Sequence, residues 1–387
     1  MRAPLTRRLA GFGTTIFTEM TRLAQEHGAI NLAQGFPDFD GPDFVKEAAK
    51  AAIDAGQNQY ARMTGLPALN LALAQRYRHH YGLNFDPDRE IVVTSGCTEA
   101  IFASIAAICD VGDEVILFQP YYDSYRASVC MAGAIPKVVT LLPPDGTQGW
   151  HFDPQQLERA FSERTRAILL NSPHNPTGKV FTHQELELIA QLCRKYNVIC
   201  ISDEVYEHLV YTGVHTPMAT LLPELTITLS SLGKSFSLTG WKIGWACAPA
   251  PLAAAVRSAH QFITFATATP FQAAAAIAVA APDDFFIQLQ REYRERRDYL
   301  TGVLQEVGFE VWEPEGTYFT CASLRGTGYT DDFAFAKHLI AHGVATIPPS
   351  AFYEQPELGR GYVRFAFCKR RETLEAAAER LRAWRKL

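Results

Sequence analysis

The sequence of 387 residues predicts an α/β protein with a mostly parallel sheet covered by helices on both faces, followed by a smaller α+β region. The prediction depends first on apolar runs such as 166–171 and 198–203, which alternate with helix signals. Strands that are apolar throughout are typical of a sheet buried on both faces. The last hundred residues differ, because a long charged helix at 285–307 precedes several short strands.

Capping and turn residues locate the elements of the larger region. Pro42 and Asp43 favour the first turn of a helix that Gly56 ends. Thr182 and Glu185 form a capping box, which predicts a helix from there to residue 196. The other predicted elements are strands at 91–93, 114–118, 166–171, 198–203, 225–229 and 242–247 and helices at 95–109 and 153–162.

The two ends of the chain are expected to lie together. We predict strands near 309–312, 317–322, 344–347 and 362–367, a helix at 330–342 and a final helix from Glu372. The first 40 residues are expected to contain no strand–helix unit of their own and to pack on this C-terminal region or across it. We therefore predict a large domain at 46–283 and a small discontinuous domain formed by 1–45 and 284–387.

Charge and composition exclude several classes of function. The net charge of −5 leaves no basic excess to offset many phosphates, so no nucleic-acid partner is expected. The apolar run 271–281 is too short to span a bilayer, and the basic start at 1–8 is followed by no signal-peptide core. The eight cysteines form no CxxC pair and no metal cluster, which is typical of a reducing compartment. We expect a cytoplasmic protein with no metal site.

Polar residues follow four of the predicted strands, where ligands of parallel sheets bind. Gly96, Cys97 and Thr98 begin a helix, and a helix N-terminus favours phosphate, to which Ser231 and Lys242 could add a hydroxyl and a charge. A carboxylate, a lysine, a tyrosine and an asparagine complete the set, namely Asp203, Lys234, Tyr206 and Asn175.

This set of residues matches pyridoxal phosphate. Its aldehyde needs a lysine, and its ring nitrogen needs an acidic partner. Taken singly, each residue also has a structural interpretation, such as a helix cap for Asp203 or a surface lysine for Lys234. Their joint occurrence at successive strand ends favours the cofactor site.

Three longer motifs carry a family resemblance. SPHNPTG at 172–178, SDEVY at 202–206 and SLGKSFSLTGWKIGW at 231–245 resemble the class I/II aminotransferases of pyridoxal phosphate fold type I. The resemblance extends from residue 31 to residue 365 and implies a mostly parallel seven-stranded sheet in the large domain. Segments 13–17, 34–42 and 260–262 are most similar to the branch of methionine aminotransferases and kynurenine–oxoglutarate transaminases.

The resemblance implies a role for each cofactor residue. Lys234 would bond to the cofactor and later carry the substrate proton, and Asp203 would pair with the ring nitrogen. Tyr206 and Asn175 would hydrogen-bond the phenolate oxygen, and Tyr122 would stack on the ring. The phosphate would be held by Gly96, Cys97, Thr98, Ser231, Lys242 and Tyr60 of the partner subunit. The active unit would therefore be a homodimer whose two active sites are shared across the interface.

Other residues would bind the substrate. Arg364 would hold its α-carboxylate with a planar fork, and Gly35, Asn175 and Phe17 would lie beside it. Two positions depart from parts of the family pattern. Cys97 stands where alanine is more usual, although its backbone N–H can still serve the phosphate, and Lys242 stands where the aspartate branch has arginine.

The substrate prediction depends on the side-chain pocket. Its candidate lining is apolar and offers no obvious second arginine for a distal carboxylate: Ile16, Phe17, Tyr122, Phe352 and Phe265 of the partner subunit. We expect a ping-pong transfer from methionine, or from an aromatic amino acid, leucine or kynurenine, to a 2-oxo acid. A cysteine-conjugate carbon–sulfur β-lyase is the alternative. A cofactor-sensing transcription regulator is disfavoured, because the match begins within the first 40 residues and the charge is acidic.

Overall fold

The computed structural model describes residues 6–146 and 148–386, so the first five residues of the basic start lie outside the described part. The strands are β1 (Ile30–Asn31), β2 (Ile91–Ser95), β3 (Glu114–Gln119), β4 (Ile135–Thr140), β5 (Thr165–Asn171), β6 (Ile199–Asp203), β7 (Thr226–Ser231), β8 (Ile243–Cys247), β9 (Glu310–Trp312), β10 (Phe319–Ser323), β11 (Val344–Ala345) and β12 (Tyr362–Ala366). The helices are α1 (Ile16–Glu26), α2 (Asp43–Asp54), α3 (Pro67–Tyr81), α4 (Gly96–Ile108), α5 (Asp123–Ala132), α6 (Pro154–Ala160), α7 (His183–Tyr196), α8 (Leu232–Ser235), α9 (Ala250–Ile263), α10 (Thr269–Val279), α11 (Asp283–Glu306), α12 (Asp332–Ala341) and α13 (Arg371–Arg385).

The central sheet has seven strands in the order β2-β8-β7-β6-β5-β3-β4. Strand β8 runs in the direction opposite to the other six strands, which are parallel to one another. This confirms the predicted mostly parallel sheet. Asn171 at the end of β5 lies opposite Asp203 at the end of β6, and Asp203 lies opposite Leu229 of β7. Because these strands are parallel and in register, the residues that follow them meet at one edge of the sheet.

Alternate residues of each central strand face opposite layers of helices. In β5, Ile168 and Leu170 pack in the cluster that contains Leu186 of α7, whereas Ala167 and Leu169 pack in the cluster that contains Ile101 of α4. All four strand residues are at most 2% exposed. The apolar runs of the sequence therefore are strands buried on both faces, as predicted.

The N-terminal segment differs from the prediction. It contains helix α1 followed by the two-residue strand β1, and neither element was predicted from the sequence. Ile16, Met20 and Ala24 recur every four residues and bury one stripe of α1, while Thr15 caps the helix. Strand β1 pairs in parallel with β11, so this segment does pack on the C-terminal region as expected.

The remaining elements are close to their predicted bounds. The capping box of α7 is formed, whereas α6 ends at Ala160, two residues before the predicted end. All eight cysteines are free, and five of them are buried. Among the helices of the described residues, none combines the length and the apolar character that crossing a bilayer requires. The division into domains at 46–283 and at 1–45 with 284–387 stays a prediction.

Candidate active site

A cavity of about 360 Å³ opens where β5, β6 and β7 end. Thirteen of the residues predicted for the site line this cavity: Phe17, Gly35, Gly96, Cys97, Thr98, Tyr122, Asn175, Asp203, Tyr206, Ser231, Lys234, Lys242 and Arg364. They come from nine different places in the chain that are separated by up to several hundred residues. Tyr60 lies outside the cavity of its own chain.

One end of the cavity is suited to an anion. Helix α4 begins there, and the N–H groups of a first helical turn have no partner within the helix. The ammonium group of Lys242 lies beside Gly96, since a Cβ built on that glycine would be 3.3 Å from Lys242 Nζ. A Cβ on Gly244 would be 2.6 Å from the backbone nitrogen of Cys97 and would overlap Gly96. Glycine at 244 therefore allows β8 to approach the first turn of α4.

A carboxylate fixes the first turn of α4 from the other side. Glu99 accepts hydrogen bonds from the backbone nitrogen of Ser95 at 2.5 Å and from Thr264 Oγ1 at 2.9 Å. Its third close contact is Nδ1 of the fully buried His260, which lies 2.5 Å from Oε1 of Glu99. Burial raises the pKa of Glu99, but these bonds act in the opposite direction and leave the pKa lowered overall.

Asp203 is buried and held by three donors. The hydroxyl of Tyr125 donates to Oδ2 at 2.6 Å, the backbone nitrogen of Val205 donates to Oδ1 at 3.2 Å, and the thiol of Cys97 lies 3.5 Å from Oδ1. Burial raises the pKa of this carboxyl, and the hydrogen bonds reduce the rise. The result is a carboxylate of fixed orientation that a cation in the cavity would stabilise further.

Lys234 is a partly buried amine. It lies in the short helix α8 after β7, and its Nζ donates to the hydroxyl of Tyr318 at 2.9 Å. Burial lowers the pKa of Lys234, because the low-dielectric surroundings disfavour the ammonium form. The ring of Tyr206 is also close, with its centroid 5.6 Å from Nζ. A lysine with these surroundings has a larger neutral fraction than a surface lysine.

Arg364, in β12, is fully buried and only partly satisfied. Its Nη1 donates to Oδ1 of Asn175 at 3.1 Å and its Nη2 to the carbonyl of Ala33 at 2.7 Å. Burial lowers the pKa of Arg364 to about 10. Within the described residues its Nε has no hydrogen-bond partner. A buried donor without a partner is costly, so this arginine is prepared for an anion that the protein itself does not supply.

The side-chain pocket is aromatic. Phe17 and Tyr122 line it, with their ring centroids 6.3 Å apart. The ring centroid of Phe319 lies 4.0 Å from the guanidinium carbon of Arg364. Ile16 and Phe352 do not line the cavity but pack behind Phe17 in the same apolar cluster. Of the apolar lining predicted from the sequence, Phe17 and Tyr122 face the cavity, whereas Ile16 and Phe352 lie outside it.

Tyr60 and Phe265 form an exposed pair on the surface of the chain. Tyr60 is 86% exposed, and its ring meets that of Phe265 edge to face at 5.6 Å. Phe265 adopts a left-handed backbone conformation with φ of 65°, and nearby Phe262 is 85% exposed. Large aromatic side chains exposed together are typical of a surface that another protein covers.

Three residues to which this site gives a role were not predicted from the sequence, namely Phe319, Tyr125 and Tyr318. Tyr125 holds Asp203, and Tyr318 contacts Lys234. Tyr125 belongs to the aromatic segment 120–125, but nothing local distinguishes it from Tyr121. Tyr318 precedes β10, and no motif points to its hydroxyl. Both contacts join residues more than 75 positions apart in the chain.

The residues present fit pyridoxal phosphate. The first turn of α4 and Lys242 suit its phosphate, the fixed carboxylate of Asp203 suits a protonated ring nitrogen, and the amine of Lys234 suits its aldehyde. The unpaired Nε of Arg364 leaves a separate place for the carboxylate of a substrate.

Comparisons with known proteins agree with this fit. The family model described as aminotransferase class I and II matches residues 27–381. The chain is 46% identical over 386 residues to the probable N-succinyldiaminopimelate aminotransferase of Mycobacterium tuberculosis, with 97% of each chain covered. It is 43% identical over 408 residues to kynurenine–oxoglutarate transaminase 3 of Mus musculus, covering 98% of this chain and 90% of that one. A crystal structure of an Escherichia coli protein with methionine aminotransferase function superposes with a TM-score of 0.94 at 41% identity, covering 99% and 100% of the two chains.

Proposed function

The chain belongs to the aminotransferase class I and II family, which depends on pyridoxal phosphate. Within this activity, we propose that its amino donor is a large apolar amino acid. Methionine is the first candidate, followed by aromatic amino acids, leucine and kynurenine, with a 2-oxo acid as acceptor. The single observation that carries this substrate class is the aromatic pocket of Phe17, Tyr122 and Phe319 beside Arg364.

We propose that the cofactor is held as the family resemblance implies. The first turn of α4, Ser231 and Lys242 would bind its phosphate, and Asp203 its ring nitrogen. Tyr206 and Asn175 would bind its ring oxygen, with Tyr122 against the ring face. When bound, the cofactor supplies an electron-accepting ring that makes the Cα proton of an attached amino acid more acidic.

Lys234 is proposed as the catalytic base and acid. Burial lowers the pKa of its amine, so more of it is neutral near pH 7 than for an exposed lysine. The amine would take the Cα proton and later release it. Arg364 would hold the α-carboxylate in a bidentate geometry, with Asn175 and the backbone at Gly35 beside it. The carboxylate would also satisfy the buried Nε of the arginine.

The charges of the cavity favour an apolar substrate side chain. Its cationic lining residues within this chain are Lys234, Lys242 and Arg364, and each already has a proposed partner. None is left for a second carboxylate on the substrate. N-succinyldiaminopimelate carries carboxylates distant from the reacting amine, so turnover of that compound would need a cation from elsewhere.

A second copy of the chain is proposed to complete each site. Tyr60 is almost fully exposed in this chain, which supports the proposal that the phosphate is reached by Tyr60 of the partner subunit. Phe265 of the partner subunit would close the side-chain pocket, and a homodimer would bury the exposed pair.

The function is tested with purified holoenzyme and a set of amino donors. Adding methionine should bleach the visible absorbance of the bound cofactor, and a 2-oxo acid should restore it. Lys234→Ala should abolish turnover. Methionine, kynurenine, aspartate and N-succinyldiaminopimelate are then compared by kcat/KM. Faster turnover of aspartate or N-succinyldiaminopimelate than of methionine would contradict the substrate class. Release of pyruvate and ammonia from a cysteine conjugate would instead indicate β-lyase chemistry.

A further inference from the structure

The hydroxyl of Tyr318 joins two parts of the proposed site. Tyr318 is fully buried immediately before β10, with its ring edge-on to Tyr206 at a centroid distance of 5.1 Å. It accepts a hydrogen bond from Nζ of Lys234 at 2.9 Å and donates to the carbonyl oxygen of Gly35 at 2.5 Å. The side chain therefore connects α8 at the end of β7 with the segment after β1.

The direction of both hydrogen bonds follows from the proton count. A carbonyl oxygen only accepts, so the single proton of the Tyr318 hydroxyl is used on Gly35. The same oxygen can then only accept from Lys234. One N–H of the amine is consequently fixed in space, while its lone pair is not used by Tyr318. A base needs that lone pair to receive a proton.

Burial keeps the Tyr318 hydroxyl in its protonated form. Burial raises the pKa of Tyr318 well above its ordinary value, so the phenol stays protonated and continues to donate to Gly35. Burial also lowers the pKa of Lys234, which increases its neutral fraction. An amine with an increased neutral fraction beside a protonated phenol suits a group that has to accept a proton.

We propose that Tyr318 is a positioning residue for proton transfer by Lys234. It holds the released amine by one N–H, leaves the lone pair available for the Cα proton of the substrate, and ties the amine to the Gly35 segment that borders the substrate. The inference rests on the proposed role of Lys234. A packing role would require only the ring, whose ring contacts with Tyr206 and Tyr293 a phenylalanine would preserve, while the hydroxyl's own interactions with Lys234, Gly35 and Tyr206 would be lost.

Tyr318→Phe is therefore the informative variant, and Tyr293→Phe is its matched control. Tyr293 is also fully buried, and its ring lies 6.0 Å from that of Tyr318. Among the contacts of the described residues, no hydrogen bond joins Tyr293 to Lys234 or Gly35. Both variants lose one buried hydroxyl, but only the first loses the bond to the amine.

The first readout does not need the cofactor. In the apoprotein, the pH dependence of Lys234 modification by an amine-specific reagent is followed by peptide mass spectrometry. Loss of an acceptor destabilises the ammonium form, so the midpoint should fall by about 0.5–1 pH unit in Tyr318→Phe. The midpoint of Tyr293→Phe should equal that of the wild type, and thermal unfolding reports whether both variants are folded.

The second readout is single turnover of holoenzyme with methionine and with Cα-deuterated methionine. Tyr318→Phe should lower the rate constant about tenfold, enlarge the isotope effect, and leave KM within about twofold. Wild-type rates and midpoints in Tyr318→Phe would overturn the inference. So would a loss expressed in KM alone, or equal losses in both variants, since these indicate substrate binding or packing. Failure of the wild type to use methionine would count against the proposed substrate, and the apoprotein midpoints would still decide the role of Tyr318.

Discussion

Tyr125 donates its hydroxyl proton to Oδ2 of Asp203 across 2.6 Å, from α5 to the end of β6. Both side chains are buried, with 3% and 4% of their surface exposed. A hydrogen bond to a buried carboxylate is stronger than one between neutral groups. The orientation of Asp203 therefore depends on a helix that follows a different strand.

Removal of this hydroxyl should weaken the site without unfolding the protein. In Tyr125→Phe we expect kcat to fall about tenfold and cofactor affinity to fall several-fold, because Asp203 loses a charge-assisted bond of roughly 1.5–3 kcal/mol. Steady-state kinetics and equilibrium dialysis measure the two effects. Cys97→Ala is the control, because its thiol is a weaker donor at 3.5 Å and its loss should cost less than about threefold. A larger loss in Cys97→Ala would show that the tyrosine is not the main support.

The contact between β8 and α4 should not tolerate a methyl group. A Cβ on Gly244 would be 2.6 Å from the Cys97 nitrogen, and both partners are backbone. We expect Gly244→Ala to reduce cofactor affinity at least about tenfold by shifting the first turn of α4. Gly240→Ala is the matched control, because a Cβ built on Gly240 would have no other atom within 4 Å. Titration of the apoproteins with pyridoxal phosphate measures the difference, and equal affinities would show that the turn can adjust.

Substitution of the buried arginine should separate substrate binding from cofactor binding. In Arg364→Lys we expect kcat/KM for methionine to fall about a hundredfold. A lysine has no planar guanidinium, so it cannot donate to Asn175, to Ala33 and to a substrate carboxylate at the same time. Cofactor retention should stay as in the wild type. The exposed Arg382→Lys serves as control. If Arg364→Lys lost the cofactor but kept the KM for methionine, Arg364 would serve cofactor binding and not substrate binding.

His174 should make stability depend on pH. Burial, helped by the charge of Lys179, lowers the pKa of His174 to about 3. Its unfolded pKa is about 6.5, so below that pH the unfolded chain binds a proton that the folded chain does not. The contribution of neutral His174 to the free energy of unfolding is therefore fully present above pH 6.5. It decreases by up to about 1.4 kcal/mol for each pH unit as the pH falls toward 3.

The pH effect is measured by urea unfolding between pH 7 and pH 4. His174→Gln should show a shallower decrease than the wild type, whereas His183→Gln, at an exposed position on α7, should follow the wild-type curve. Parallel curves for wild type and His174→Gln would mean that His174 is protonated in the folded state.

The order of the strands explains how much of the site the sequence could predict. Asp203 ends a strand and Gly96, Asn175 and Lys234 each come after one, and parallel strands bring their carboxyl ends to one edge. Recognition of strands and of the residues after them was therefore enough to group these side chains. The apolar runs likewise indicated burial on both faces, since period and composition are local properties.

Contacts of single atoms were decided by the tertiary structure alone. Tyr125 and Tyr318 look like other tyrosines in the sequence, and their hydroxyls acquire partners only when helices and strands distant in the chain are packed together. The same holds for Arg364. Its Nη1 and Nη2 donate to Asn175 and to the carbonyl of Ala33, and only the folded structure shows that its Nε has no partner among the described residues. The sequence by itself determined which residue types reach the edge of the sheet, because strand direction follows from chain order. Packing decided which donors and acceptors meet there, because hydrogen bonds depend on distances of a few ångströms.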